Sequence, residues 1–309
     1  MTGRQDAYPS RRAGEPAILP RRDPVVHGTW SPDAPLSREQ AQAFDRDGFL
    51  VLRNLFTAAE VEALRREASA LCGSRPGELD PDTVIAEPGS GAVRSVFAVH
   101  AQSAVFARLA ADARLADVAR FLLDDDVYLH QTRMNYKPGF DGKEFYWHSD
   151  FETWHVEDGM PRMRALSATV LLTENTPCNG PLMLIPGSHR HFVACVGETP
   201  EEHYRQSLRK QEYGVPDRES LTLLARQGGI EAPVGPAGTV ILFDCNTMHG
   251  SAGNITPFPR SNAFMVYNAV SNALEAPFGP ARPRPEFIAT RAACAALEPV
   301  SGPLLSSAA

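Results

Sequence analysis

The run Val127-Tyr128-Leu129-His130-Gln131-Thr132-Arg133-Met134-Asn135-Tyr136 marks a change of texture in the chain. From here on, short β-like runs recur at 127–136, 144–151, 165–173, 181–186, 238–244 and 261–270, punctuated by Gly, Pro and Asn. That spacing predicts an antiparallel sandwich or barrel. Upstream the signals are helical. Ser37 with Gln40 and Thr57 with Glu60 fit the capping-box spacing. The first predicts a short helix ending near Asp47-Gly48. The second predicts a helix of about 15 residues with Val61, Leu64, Ala68 and Leu71 on one face. Phe49-Leu50-Val51-Leu52 between them reads as a short buried strand, and the Ala- and Leu-rich stretch 103–123 as one or two helices. Residues 198–230 are polar and partly helical, as expected of an insertion between strands. Residues 1–35 are rich in Pro and Arg and lack periodicity. With Arg4, Arg11, Arg12, Arg21 and Arg22 set among Pro and acidic residues, they read as a solvated arm. The expected architecture is mainly β with flanking α. A jelly-roll core (a double-stranded β-helix, cupin-like) over about 127–270 carries the N-terminal helices outside it, in a single domain spanning 36–300.

Composition narrows the function. The 309 residues are 43% hydrophobic, enough for a sizeable core. Net charge is −7 with no basic block, which disfavours a nucleic-acid partner. No apolar run is long enough to span a membrane, and no apolar leader opens the chain. Cys72, Cys178, Cys195, Cys245 and Cys294 are an odd number without a pairing motif, as expected of reduced thiols in a cytoplasmic protein.

The chemistry concentrates at Tyr146-Trp147-His148-Ser149-Asp150. On a strand, His148 and Asp150 would point the same way, about 6–7 Å apart, and offer two ligands to one metal. Val240-Ile241-Leu242-Phe243 reads as a buried strand leading to Asp244-Cys245-Asn246-Thr247-Met248-His249-Gly250, so His249 stands where strand yields to loop. Two His and one carboxylate form the facial set of non-haem iron(II) oxygenases. A lone His-x-Asp is weak evidence, since a half-buried strand histidine explains it equally well. Arg260 adds to it. After a Gly-, Asn- and Pro-rich turn, an antiparallel return would bring Arg260 back beside the metal, where its guanidinium can hold a carboxylate through two hydrogen bonds. Taken alone, Arg260 would be read as an edge-strand surface residue.

Together, His148-x-Asp150, His249 and Arg260 resemble the phytanoyl-CoA dioxygenase superfamily, and within it the ectoine hydroxylase branch. The resemblance rests on the run Phe145-Tyr146-Trp147-His148-Ser149-Asp150-Phe151-Glu152-Thr153-Trp154-His155-Val156-Glu157-Asp158-Gly159-Met160-Pro161. It extends to Asp244 through Arg260, to Asn179 through His189, and to the lead-in from Asp23 through Leu52. It implies Fe(II) held by the catalytic set His148, Asp150 and His249, with 2-oxoglutarate as cosubstrate. O₂ is consumed, succinate and CO₂ are released, and ectoine becomes 5-hydroxyectoine, a compatible solute. It also implies a homodimer, although no residue pattern shows one.

The polar face Gln131, Arg133, Asn135 would ordinarily be solvent-exposed. The resemblance places it in the cavity instead, with Gln131 on substrate and Arg133 and Asn135 helping Arg260 hold 2-oxoglutarate. Ser251 is close enough to His249 to donate to the cosubstrate carboxylate. Asn262 and Phe264 share the face of Arg260, and the resemblance makes them substrate contacts, although Phe264 by type alone is core. Trp154, just beyond the metal strand, offers an indole face to the amidinium of ectoine; its alternative is core packing. His189 and His191 sit in a strand-ending turn rather than a second metal site, and His130 and His155 read as satisfied structural histidines. Glu152 has no role, and the strand is expected to bend there. Two other functions stay open: a relative acting on another small amino acid or zwitterion, and a non-catalytic jelly-roll binding protein. A halogenase is disfavoured because Asp150 is present.

Overall fold

Local sequence sets the first elements. Ser37 and Gln40 close a reciprocal capping box on α1 (Arg38–Asp47), and Gly48 ends the helix in the left-handed region at φ 79°. Thr57 and Glu60 do the same for α2 (Ala58–Cys72). The computed structural model describes residues 6–12, 14–73, 78–87, 90–208 and 212–304. In chain order the strands are β1 (Ala17–Pro20), β2 (Phe49–Leu52), β3 (Val84–Ala86), β4 (Val93–Phe97), β5 (Val127–Lys137), β6 (Phe145–His148), β7 (Ala165–Leu171), β8 (Met183–Leu184), β9 (His191–Ala194), β10 (Val240–Asp244), β11 (His249–Ser251) and β12 (Arg260–Ala269). The further helices are α3 (Val99–Gln102), α4 (Ala104–Ala110), α5 (Ala113–Leu123), α6 (Asp150–Thr153), α7 (Tyr204–Ser207) and α8 (Arg218–Gly228). The last two lie between β9 and β10.

Two antiparallel sheets face each other. The larger runs β2-β10-β7-β12-β5-β4-β3 and the smaller β6-β11-β8, while β1 and β9 form a separate ribbon. Strand alternation gives the large sheet two distinct faces. Met134, Leu166, Ala168, Ala263, Met265 and Tyr267 meet Leu64, Phe106, Leu109, Leu115 and Leu122 of the helices in one core. Residues of opposite parity look toward the small sheet: Asn262 stands opposite Asn135, Phe264 opposite Arg133 and Val266 opposite Gln131. This is the jelly-roll with outer helices that strand spacing predicts.

Four expectations need correction. The strand expected over 144–151 ends at His148; Ser149 is still extended, but Asp150 opens α6, where Phe151 N–H donates to Cys245 O at 2.8 Å. β2 is an edge strand in which Phe49 is buried and the next three residues only half-buried. Arg260 does not return beside β11 in one sheet; it opens β12 in the facing sheet, opposite Lys137. The lead-in is not a solvated arm: Tyr8, Ser10, Arg11 and Asp23 are buried, and Ala17–Pro20 pairs with β9. Arg11 and Arg21 find carboxylates contributed by residues remote in sequence, Glu152 and Asp244, each at 2.7 Å, whereas Arg12 stays exposed beside Asp6 and Arg4 lies outside the described residues. All five cysteines are free, as expected.

Gly48 keys the helical layer to the loop between β10 and β11. Its carbonyl accepts from Asp244 N–H at 2.9 Å and Thr247 Oγ1 at 2.8 Å. A Cβ at this position would stand 2.3 Å from His189 Nδ1 and 2.8 Å from Thr247 Oγ1. Gly48→Ala therefore combines left-handed strain with a clash. We expect a loss of roughly 1–3 kcal/mol, seen as a lower Tm. An unchanged melting curve would mean that this junction is not tightly packed.

Candidate functional site

β6 and β11 pair so that His148 and His249 stand in register, ring centroids 4.3 Å apart. Each ring is fixed by its own strand: His148 Nδ1 lies 2.7 Å from Tyr146 O, and His249 Nδ1 lies 2.9 Å from Thr247 O. A neutral imidazole donating from Nδ1 presents its lone pair at Nε2. Both Nε2 atoms approach Asp150, His148 at 3.7 Å from Oδ1 and His249 at 3.9 Å from Oδ2. Ligand atoms of all three residues lie within 4.8 Å of one another. Asp150 Oδ2 is buried without a hydrogen-bond partner. Burial, followed by the neighbouring His249, pushes His148 down to about 4, and burial also lowers His249, so both rings are neutral near pH 7. For Asp150 burial works upward, but His249, Arg133 and His148 outweigh it and hold the carboxyl below its ordinary range. Two neutral imidazoles and one carboxylate, with converging lone pairs and an orphaned oxygen, fit a divalent metal.

Hydrogen bonds from several elements hold these ligands. Ser149 Oγ donates to Asn246 Oδ1 at 2.9 Å, and Asn246 Nδ2 donates to the carbonyls of His189 and His191 at 3.0 Å each. Met248 N–H donates to Ser188 Oγ at 2.9 Å. His189 Nε2 lies 3.0 Å from Asp45 O, and the triad is the one metal-competent group among the described residues. The turn around His189 thus braces the loop that carries His249.

A cavity opens from the triad between the sheets. Gln131, Arg133, Asn135, Trp154, Ser251, Arg260 and Phe264 line it together with His148, Asp150 and His249. Arg260 is 2% exposed, and among the described residues no carboxylate pairs with it. Its Nε has no hydrogen-bond partner. Burial, with Arg94 nearby, pushes it down to about 10. An enclosed guanidinium without an anion is a binding group for a carboxylate. Asn262 departs from expectation. It shares the face of Arg260 but does not line the cavity; its amide oxygen, turned to Arg260, lies 2.7 Å from Nη1.

On β5, Gln131 Oε1 accepts from Arg133 and its Nε2 donates to Ile288 O at 2.7 Å. Arg133 lies 4.7 Å from the centre of the Phe264 ring, and Asn135 Oδ1 accepts from Ser95 Oγ at 2.9 Å. Lys137 is the next residue of that face by strand alternation. Its ammonium bonds Ala252 O, and burial, with Arg260 and Arg94, pushes it down to about 6.

Trp154 is buried in a π-helical turn over Trp154–Asp158, edge-on to His130 with ring centroids 4.9 Å apart. His155 is satisfied by Met160 O at 2.7 Å and Asp6 Oδ1 at 2.9 Å. His130 is not: neither ring nitrogen has a hydrogen-bond partner, Nε2 coming no closer than 3.7 Å to Asp158 Oδ2, and burial, then Arg284, drives it down to about 3, so it is neutral. Sequence reasoning also missed Ser95, Phe97, Thr153, Glu157, Tyr213 and Arg284, all of which line the cavity. Arg284 comes from a Pro-rich tail with no periodic signal, and Glu157 lay in view within the quoted run without an evident partner.

Comparison with known proteins agrees with this geometry. The family model described as phytanoyl-CoA dioxygenase (PhyH) matches residues 44–262. Ectoine dioxygenase of Sphingopyxis alaskensis is 66% identical over 303 residues, covering 98% of this chain and 99% of that protein. Ectoine dioxygenase of Stutzerimonas stutzeri is 58% identical over 286 residues, covering 93% and 94%. The crystal structure of EctD from S. alaskensis with 2-oxoglutarate and 5-hydroxyectoine superposes with a TM-score of 0.90 at 62% identity, over 97% of this chain and 100% of that one. The same protein with bound Fe gives 0.88 at 61%, with the same coverage. Fold, metal-competent triad and family model agree on one assignment: this chain belongs to the phytanoyl-CoA dioxygenase family.

Proposed function

We propose that this protein is an Fe(II)- and 2-oxoglutarate-dependent dioxygenase that hydroxylates ectoine to 5-hydroxyectoine. The observation that carries the proposal is the pairing, in one cavity, of a metal-competent His148–Asp150–His249 triad with the anion-free buried Arg260. The likeness over nearly the whole chain to an EctD structure holding 2-oxoglutarate and 5-hydroxyectoine supports it. Bound iron supplies O₂ activation coupled to decarboxylation of 2-oxoglutarate.

The residues do the rest. His148, Asp150 and His249 hold the metal, with both Nε2 atoms already unprotonated. Arg260 takes the far carboxylate of 2-oxoglutarate, steadied by Asn262, with Ser251, Asn135 and Arg133 beside it. Trp154 and Phe264 offer apolar and aromatic surface to the flat amidinium ring, and Gln131 fixes its orientation from β5. Orientation selects the C–H bond that is oxidised, and the closed walls limit access of water. The same reading includes a homodimer acting in the cytoplasm; among the described residues no helix is long and apolar enough to cross a membrane. The test is product analysis by mass after incubation with ectoine, Fe(II), 2-oxoglutarate and O₂. Hydroxyectoine with matching succinate supports the proposal, and unchanged ectoine refutes it.

Three variants probe the roles. Asp150→Ala is expected to lose bound iron by metal analysis, since it removes the only carboxylate of the triad; wild-type iron content would exclude Asp150 as a ligand. Arg260→Ala removes a charge-assisted pair of roughly 1.5–3 kcal/mol, so the KM for 2-oxoglutarate should rise about 10- to 150-fold, well beyond any change for ectoine. An unchanged KM would reassign that carboxylate. Trp154→Ala should keep its iron while ectoine hydroxylation collapses and some uncoupled 2-oxoglutarate decarboxylation persists. Retention of wild-type hydroxylation efficiency would remove Trp154 from the substrate site.

A further inference from the structure

The family model spans 44–262, yet one wall of the cavity is held from outside that range. Residues 6–12 lie against the turn 150–158 and touch it repeatedly. Tyr8 packs edge-on to Phe151 with ring centroids 5.2 Å apart, and Asp6 Oδ1 meets His155 Nε2 at 2.9 Å. Arg11 goes deepest, its side chain 1% exposed. Its Nη2 donates to Glu152 Oε2 at 2.7 Å and Thr153 Oγ1 at 3.1 Å; its Nη1 donates to the Glu157 carboxylate and to Thr199 Oγ1 at 2.9 Å. Ser10 Oγ adds a bond to Glu152 Oε1 at 2.6 Å. The segment itself is pinned by Arg11 N–H to Cys195 O and by Cys195 N–H to Ser10 Oγ, both at 2.8 Å. Gly214 closes over the pair, where a Cβ would stand 2.3 Å from Arg11 Nη2.

Thr153, Trp154 and Glu157 on this turn, and Tyr213 beside Gly214, all line the cavity. Three buried carboxylates, Glu152, Glu157 and Asp158, are served here by Arg11 and Arg284. Without Arg11, Glu152 has no cation among the described residues and Glu157 has only Arg284, at 3.8 Å. Arg284 is itself a cavity residue engaged with Asp158, so a displaced Glu157 would compete for it. We propose that Arg11 is a positioning residue for substrate binding: it clamps Glu152 and Glu157 and thereby fixes the turn that carries Trp154. This rests on the proposed ectoine site. It separates two tasks: metal binding belongs to β6, α6 and β11 inside the family model, and the substrate wall depends on a segment outside it.

The test uses R11M/E152Q, which removes the cation with one of its carboxylates, and R11K, which keeps the charge and loses the planar fork. Ectoine is titrated calorimetrically into protein loaded with Co(II) and 2-oxoglutarate, so no turnover is needed. Co(II) affinity and Tm are measured on the same samples. The expected result for R11M/E152Q is a folded protein binding Co(II) within about threefold of wild type and ectoine at least ~10-fold more weakly, with R11K intermediate. Wild-type ectoine affinity in R11M/E152Q would overturn the role of Arg11. So would parallel losses of Co(II) and ectoine affinity with a collapse in Tm, the signature of general loosening. A wild type that binds no ectoine would refute the substrate itself and this inference with it, whereas a binding wild type matched by both variants refutes Arg11 alone.

Discussion

A buried carboxylate and a buried guanidinium face one cavity with bonding capacity unused: Asp150 Oδ2 has no hydrogen-bond partner, and Arg260 has no carboxylate partner among the described residues. Isolated charge inside a protein is costly, and it persists only where the surrounding fold holds it and a ligand completes it. The jelly-roll supplies that hold by splitting the work between two sheets. The small sheet brings His148 and His249 into register. The large sheet presents Arg260, Phe264, Arg133 and Gln131 on one face through the alternation of β12 and β5. Their other face is sealed by the helices, so the cavity walls have little room to relax.

The metal loop is braced by bonds that reach across the chain. Asn246 ties Ser149 to the carbonyls of His189 and His191, Thr247 bonds the carbonyl of Gly48, and Arg21 neutralises Asp244. Each link joins elements far apart in sequence, and together they hold the loop ending at His249. Burial tunes the two histidines, and neighbouring charge overrides burial at Asp150. The histidines are pushed toward the neutral form, while Asp150, drawn down by His249, Arg133 and His148, stays ionised. That is the protonation state a hard divalent cation requires.

Much of this is legible in the chain because it is local. Capping boxes at Ser37 and Thr57 involve residues three apart, and the faces of β5 and β12 follow from a period of two. His-x-Asp was also legible, though for the wrong geometric reason. The strand expected to carry both residues stops at His148, and Asp150 reaches the metal position from the first turn of α6. What was hidden is non-local. Arg11 lies 141 residues from Glu152, and in composition its segment is indistinguishable from a solvated arm. Arg284 sits in a Pro-rich tail for the same reason. Asn262 has the parity of a cavity residue, yet it spends its amide on Arg260, which alternation cannot reveal.

The central claim is that the two buried charges are completed by ligands, the triad by a divalent metal and Arg260 by a dicarboxylate. Ligands that bind only the folded state raise its stability, by about 2.7 kcal/mol at a hundred times the dissociation constant. The most direct measurement is the Tm of metal-free protein under anaerobic conditions, first with saturating Fe(II), then with Fe(II) and 2-oxoglutarate. Two successive increases are predicted, the second absent when succinamide, which lacks both carboxylates, replaces 2-oxoglutarate. A Tm that moves with neither addition would contradict the account.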